Sequence, residues 1–447
     1  MKTDIPHTER FRFVLTTFGS LGDLHPYLAL GQGLQARGHS VLIATHKSHQ
    51  SRVELAGIAF HEIGPDISDF GDEAELMARV MDPKIGPKVV MREIIMPHLK
   101  RGYEEISRAV VDADMLITHP LAFAAQLVAE KNADRLTWAS VALAPASFLS
   151  AYDPPVLPIA WLTRFRPLGP RFFRPLFGVI KWGLQSWASP WHEFRKELGL
   201  PPTTNNPIFD GQFSPTLTLA LFSPTLAAPQ PDWPPNTQVT GFLFYDRADR
   251  GTGLAPELLE FLGQGDPPMV FTLGSSAVLH AGDFYVQSVD AAQRLGRRAV
   301  LLIGHDTRNR PSQPLPKEIL ACDYAPYSEL LPRAAAVVHQ GGIGTTAQAL
   351  RAGVPMLVVP FAFDQPDNAD RIERLGVGRV LPRKLYNAER AARELSILTS
   401  QKRYAARAKE VGRIVQAEDG IGQACQFIEN CLRNSSQRNR TSTSAGS

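Results

Sequence analysis

Three cysteines in 447 residues, Cys322, Cys425 and Cys431, show no paired-ligand spacing. That disfavours a disulfide framework and a structural zinc site, and fits a reducing cytoplasm. An excess of one charge is missing too. The 47 Lys and Arg against 44 Asp and Glu leave a net charge of +3, with the basic residues dispersed, so nucleic acid is not an expected partner. No apolar run approaches the roughly 20 residues that span a bilayer. The opening "MKTDIPHTERFRFVLTTFGS" carries acidic residues and only a very short apolar run, where a signal peptide needs a long one. The only D-x-D, Asp112 to Asp114, precedes an apolar strand, which suits a solvated loop better than a metal clamp.

What is present is alternation. At 447 residues two domains are expected, because single cores stop growing well below that length. Phe11 to Thr16, the turn "FGSLGD", a helical pattern from Pro26 to Arg37 stopped by Gly38, and "SVLIATH" make a βαβ unit. "DMLITH" and "LTWASV" add strands around a helix from Phe123 to Lys131. The prolines between Pro229 and Pro235, with Gly241, suggest a linker. Strands at "PMVFTLGSS", "AVLLIG", "AAVVH" and "MLVVP" then restart the pattern, and a final helix is expected near Gln401 to Leu432. The fold class expected is α/β, two doubly wound domains facing across a cleft. Their boundaries are expected at 1–235 and 236–415, followed by a C-terminal helix at 416–433 that packs back on the first domain and a disordered tail at 434–447.

Chemistry concentrates in "HQGGIGTTAQALRAGVPMLVVPFAFDQPDN", His339 to Asn368. Ligands bind beyond the carboxyl ends of parallel strands, where the turn into the next helix offers unpaired backbone N–H groups to anions. His339 ends a strand, Gly341, Gly342 and Gly344 permit close backbone approach, and Thr345 stands near the helix start, so a diphosphate is the natural guest. Asp364 and Gln365 follow the next strand, where a carboxylate and an amide suit sugar hydroxyls. Ser275 in "FTLGSS" can meet the distal phosphate, and Tyr324, followed by Ala325, can stack on a nucleobase. Each has a plainer reading, Ser275 as a helix cap and Tyr324 as core packing.

His339 to Gln365 resembles the donor-binding motif of the family 1 nucleotide-sugar glycosyltransferases, and "FGSLGDLHPYLALGQGLQARGH", which includes Ser20, resembles their N-terminal signature. "DWPPNTQVTGF", "YAPYSELLP" and "HQGGIGTTAQALRAGVP" look most like the bacterial rhamnolipid-type rhamnosyltransferases within it. The resemblance covers nearly the whole chain. It implies the GT-B fold and inverting transfer of a sugar, rhamnose or glucose, from a dTDP or UDP donor to a hydroxyl, with no required metal and no cofactor beyond that co-substrate. It places His339 on the diphosphate, Gly342 to Thr345 as phosphate cradle, and Asp364 with Gln365 on the sugar. Tyr324 stands where plant members have a stacking tryptophan. Ala347 replaces a ribose-binding glutamate, which suits a deoxyribose donor unless Gln348 substitutes.

Displacement at an anomeric carbon needs a group to take the acceptor's proton. Asp23 occupies the position of the plant catalytic histidine, with His25 as rival and His119 as a potential partner at the end of "DMLITH". The alternative for Asp23 is an N-cap, and for His25 a packing histidine. Between 160 and 187, Trp, Phe, Arg and Lys interleave, which suits either a peripheral membrane contact or a wall for an apolar or aromatic acceptor; plain packing over the acceptor domain is the alternative. Competing functions are a GT-B epimerase or hydrolase and an NAD-dependent oxidoreductase. The latter fits poorly, because the second strand ends in Thr45 and His46 instead of an acidic residue and the first turn lacks G-x-G-x-x-G.

Overall fold

In a computed structural model, which describes residues 9–157, 159–246 and 253–444, the chain builds two all-parallel sheets. The first holds β1 (Arg12–Thr16), β2 (Ser40–Thr45), β3 (Ala59–Glu62), β4 (Met115–Thr118), β5 (Thr137–Ala142), β6 (Leu217–Ala220) and β7 (Thr237–Val239). Their order is β3-β2-β1-β4-β5-β6-β7. The second holds β8 (Met269–Thr272), β9 (Ala299–Leu302), β10 (Ile319–Cys322), β11 (Ala336–His339), β12 (Met356–Val358) and β13 (Gly378–Val380), in the order β10-β9-β8-β11-β12-β13. The expected doubly wound α/β class is what forms.

Both sheets are buried on both faces, which is why their strands read as apolar runs. In β1, Phe13 and Leu15 enter one cluster while Val14 enters the opposite one. In β8, Met269 and Phe271 divide from Val270 in the same way. All are fully buried, each side chain contributing about 1.5–3 kcal/mol by leaving water. Each sheet reverses its strand order once, between β1 and β4 and between β8 and β11. Ligands of such sheets sit beyond the strand ends at that reversal.

Several boundaries differ from the sequence reading. The first helix spans Leu21–Ala36, five residues earlier than a start at Pro26, because Ser20 supplies the N-cap. Proline is favoured in a first turn, which makes Pro26 a misleading start signal. The proline-rich stretch taken as linker contains the edge strand β7, which pairs with β6 and so belongs to the first sheet, past the expected boundary at 235. The C-terminal segment is two helices, Lys402–Gln416 and Gly420–Ser444. The second continues through the stretch from Asn434 expected to be disordered; residues 445–447 lie outside the described residues. It packs on the first domain, with Ala424, Cys425 and Ile428 in that core and Glu429 3.1 Å from His39.

A clasp joins the domains at the other side. Arg371 and Asp367, both almost wholly buried in the helix Gln365–Arg374, pair at 2.8 Å. Asp153 from the first domain binds Arg371 and lies 3.2 Å from Arg374, Val156 N–H donates to Asp367, and Arg166 reaches Asp370 at 2.8 Å.

Candidate active site

The first half of the site lies where β1 and β4 end. Ser20 caps the first helix, its hydroxyl accepting from the Gly22 N–H and donating to Asp23 Oδ2 at 3.0 Å, while its own N–H donates to the same oxygen at 2.7 Å. Asp23 Oδ1 faces His119 Nε2 at 3.4 Å. The tautomer follows from the other ring nitrogen: His119 Nδ1 accepts the Leu121 N–H at 3.1 Å, so in the neutral ring the proton sits on Nε2 and points at Asp23. Burial alone would raise the Asp23 carboxyl. The hydrogen bond and charge of His119, with the two bonds from Ser20, outweigh it and hold the pKa below the usual carboxylate value.

This arrangement needs glycine at 19. Its φ is +120°, and a Cβ there would stand 2.5 Å from Asp23 Oδ2. Two buried histidines grip the Gly19 residue from both sides, His46 Nε2 accepting its N–H at 3.3 Å and His49 Nε2–H donating to its carbonyl at 3.0 Å. Burial keeps both rings neutral, His46 lowered to about 4 with His49 beside it adding to the effect. Sequence reading missed this brace, which spans 27 and 30 residues and leaves no local spacing signal.

The second half lies where β8, β11 and β12 end. His339 is fully buried, its Nδ1 accepting the Gly341 N–H at 3.1 Å. Its Nε2 therefore carries the proton, and no partner receives it. Burial pushes its pKa down to about 3, so it offers a neutral hydrogen bond and no charge. Gly341, at φ +89°, leaves no room for a Cβ, which would lie 2.8 Å from Val358 and 3.1 Å from the Gln365 carbonyl. Gly342 opens the helix Ile343–Ala352, whose first turn has no side-chain cap. Gln340 Oε1, Thr346 Oγ1 and Asn368 Oδ1 are buried without partners, as His339 Nε2 is. Buried polar atoms are normally satisfied, so four orphans on this loop, the helix it opens and the helix Gln365–Arg374 suit a polar guest. Gln340 is another residue the sequence reading passed over; its amide is wedged against Gly274 and Gly342.

Asp364 is half-buried, its Oδ2 accepting from Asn368 Nδ2 at 2.7 Å, and the same amide group donates to the Gly341 carbonyl at 2.9 Å. Asn368 thus ties the carboxylate to the glycine turn. Burial first, and then the charge of Asp23, pushes Asp364 up to about 7. Thr345 is buried, and Ser275 is half-buried just after β8. Tyr324 is 58% exposed beyond β10, so core packing does not describe it, whereas Ala325 is buried.

Some expected residues are placed otherwise. The Ser20 hydroxyl spends its proton on the Asp23 carboxylate and accepts from the Gly22 N–H. Gln365 spends its carbonyl oxygen on the Phe361 and Ala362 N–H groups, leaving only its NH2 for a sugar. His25 lies against Tyr245, ring centroids 5.5 Å apart, roughly 200° around the helix from Asp23. Gln348 Nε2 donates to Asp246 at 3.5 Å and its Oε1 accepts from Arg351. Among the described residues, no group of three or more His, Cys, Asp or Glu side chains could hold a metal ion.

The two halves meet. A Cβ on Gly344 would lie 3.9 Å from the Gly22 Cα, so the N-termini of the two loop-following helices touch across the cleft. Residues 13–141 match the glycosyltransferase family 28 N-terminal domain, and 287–419 match the erythromycin biosynthesis protein CIII-like C-terminal domain. Over 431 residues the chain is 34% identical to the O-mycaminosyltylonolide 6-deoxyallosyltransferase of Streptomyces fradiae, covering 94% of this chain and 97% of that protein. The chain belongs to the GT-B glycosyltransferases. This glycosyltransferase is also 30% identical over 445 residues to the sterol 3-beta-glucosyltransferase of Komagataella phaffii, aligning over 95% of its own length but spanning only 35% of that protein. The same fold recurs in the kitacinnamycin glycotransferase (TM-score 0.68, 22% identity, 95% of this chain and 100% of that one). It recurs again in the spinosyn rhamnosyltransferase SpnG with thymidine diphosphate (0.65, 20%, 94% and 100%). The chain is a nucleotide-sugar-dependent glycosyltransferase of the EC 2.4 class.

Proposed function

We propose that this glycosyltransferase moves a sugar from a dTDP-sugar to a hydroxyl of an apolar small molecule, with Asp23 as base. One arrangement carries the reading: the Asp23–His119 pair of one domain and the His339 glycine turn of the other meet where two helix N-termini touch, and the Asp23 and Asp364 carboxyls there are pushed in opposite directions. Such divergence separates roles. Asp23 stays ionised and takes the acceptor proton; its low basicity means that proton transfer accompanies C–O bond formation instead of preceding it. Asp364, near half-protonated at neutral pH, suits hydrogen bonding to sugar hydroxyls in either direction. As the acceptor oxygen attacks the anomeric carbon, the bond to the diphosphate breaks. Charge growing on the phosphate meets the uncapped N-terminus of Ile343–Ala352 and the orphan His339 Nε2–H, an arrangement effective because it is preformed.

A thymidine donor is supported by Ala347 in place of a ribose-gripping carboxylate, with Gln348 bonded to Asp246 and Arg351, and by the thymidine diphosphate found with SpnG. Rhamnose and glucose are the sugars that the family resemblance implies. The acceptors named for the macrolide and sterol relatives support an apolar acceptor, and the aromatic, cationic stretch at 160–187 supports one met at a lipid surface. The test is thermal-shift titration with dTDP-rhamnose, dTDP-glucose, UDP-glucose and NAD, then transfer to a sterol or macrolide hydroxyl. A ligand that binds only the native state raises its stability. Stabilisation by a dTDP-sugar followed by glycosylated product is expected. Stabilisation by NAD alone overturns the proposal, and free sugar or epimer from donor alone points to the hydrolase or epimerase.

A further inference from the structure

Between β5 and β6 the chain makes a helical insert with its own small core. Phe173 and Phe177 are buried with Ala151, and Phe172, Leu176 and Ile180 pack against them. In the helix Pro170–Gly183 those residues line one side. Helical spacing puts Arg171, Arg174, Val179 and Trp182 on the other. That outer side is exposed, with Trp182 77% and Val179 65% in solvent. The preceding turn adds Trp161, 58% exposed, and Phe165, whose ring stacks on Phe172 at 5.2 Å. No Asp or Glu occurs between Asp153 and Glu193, while five Arg and Lys do. Of the acidic groups nearby, Asp153 is engaged by Arg371 and Arg374 and Asp210 by Lys181, while Glu193 lies exposed near Trp182 at the far end of the insert. Arg164 and Arg171 have no acidic partner among the described residues.

We propose that this face docks the enzyme on an anionic lipid bilayer, with Trp161 and Trp182 in the headgroup zone and Arg164 and Arg171 on lipid phosphates. Two exposed indoles and two cations without an acidic partner, spread along one outer side, match a negatively charged interface, where indole sits at the polar–apolar boundary and basic side chains gain from the surface potential. Through Arg166 on Asp370 and Asp153 on Arg371, the insert is joined to the helix that begins just after Asp364. The lipid face is thereby held in fixed relation to the sugar end of the cleft. The inference rests on the apolar-acceptor reading for its purpose, but its test uses neither donor nor acceptor.

The full chain is sedimented with phosphatidylcholine vesicles and with vesicles rich in phosphatidylglycerol. Binding to the anionic vesicles, weakened by salt, is expected, with little binding to the neutral ones. Trp161→Ser with Trp182→Ser, and separately Arg164→Glu with Arg171→Glu, are each expected to lower the partition coefficient at least about tenfold, since each exposed charge or indole contributes on that scale. All four residues are exposed and lie outside the cleft, so melting temperatures stay within a few degrees of wild type and the response to dTDP-sugars is unchanged. Absence of wild-type binding to anionic vesicles, or undiminished binding by the charge-reversed variant, overturns the proposal. An enzyme that binds vesicles but ignores nucleotide sugars would fault the transfer reading instead.

Discussion

Replacing Asp23 by asparagine removes the base while leaving the volume unchanged, and the hydrogen bonds around it set what else must change. Asp23 receives three protons, two from Ser20 on Oδ2 and one from His119 on Oδ1. Asparagine has one acceptor oxygen. If that oxygen keeps Ser20, its NH2 faces the His119 Nε2–H. If His119 then moves its proton to Nδ1, the clash passes to the Leu121 N–H. One donor-to-donor contact costs about 1–3 kcal/mol, a fall of a few degrees in melting temperature for domains of about 200 residues. The chemical loss is larger, about 10²- to 10⁴-fold in kcat for a missing general base. Binding of dTDP stays within a few-fold of wild type, because the diphosphate contacts lie in the other domain. The assay is steady-state transfer beside differential scanning fluorimetry with and without dTDP. A folded Asp23→Asn enzyme that keeps kcat within about tenfold of wild type refutes Asp23 as base.

Gly19→Ala puts a Cβ 2.5 Å from the Asp23 oxygen at a φ of +120°; a loss of about 1–3 kcal/mol in stability, with kcat falling and the dTDP response kept, is expected by fluorimetry and turnover. Asp364 is raised to about 7, so the folded chain resists its ionisation and loses stability as pH rises from the ordinary carboxylate range through about 7. Asp364→Asn is therefore expected to melt as wild type near pH 4 and about 1–2 kcal/mol more stably at pH 8, after allowance for partial solvent access, while transfer is lost; equal melting at both values contradicts the shift. Arg371→Ala leaves Asp367 buried and uncompensated, for which about 3–5 kcal/mol is expected in chemical denaturation, against a much smaller loss for Arg374→Ala.

The alternation of apolar runs and glycine stops made the sheets legible, because both are buried on two faces and their strands carry their own signal. The donor loop was legible for the same reason, its glycines standing where a backbone must approach an anion. What stayed hidden is held by long-range contacts. The contacts of His46 and His49 with Gly19, of Asp153 with Arg371 and of Asn368 with Gly341 join residues 27 to 218 positions apart. The inward turn of the Gln365 carbonyl depends on a loop whose Phe363 adopts φ 56°, which no spacing announces. The helix through Ser444 continues a polar sequence on which composition argues for disorder, and Pro26 drew attention from Ser20, the true cap.

The most direct measurement is a crystal structure of the enzyme with dTDP. The diphosphate is expected within hydrogen-bonding distance of His339 Nε2 and the N–H groups of Gly342 to Thr345, with open space between the β-phosphate and the Asp23 carboxylate for sugar and acceptor. Phosphates bound away from His339 and its glycine turn, or seated on the Asp23 side of the cleft, would contradict the account.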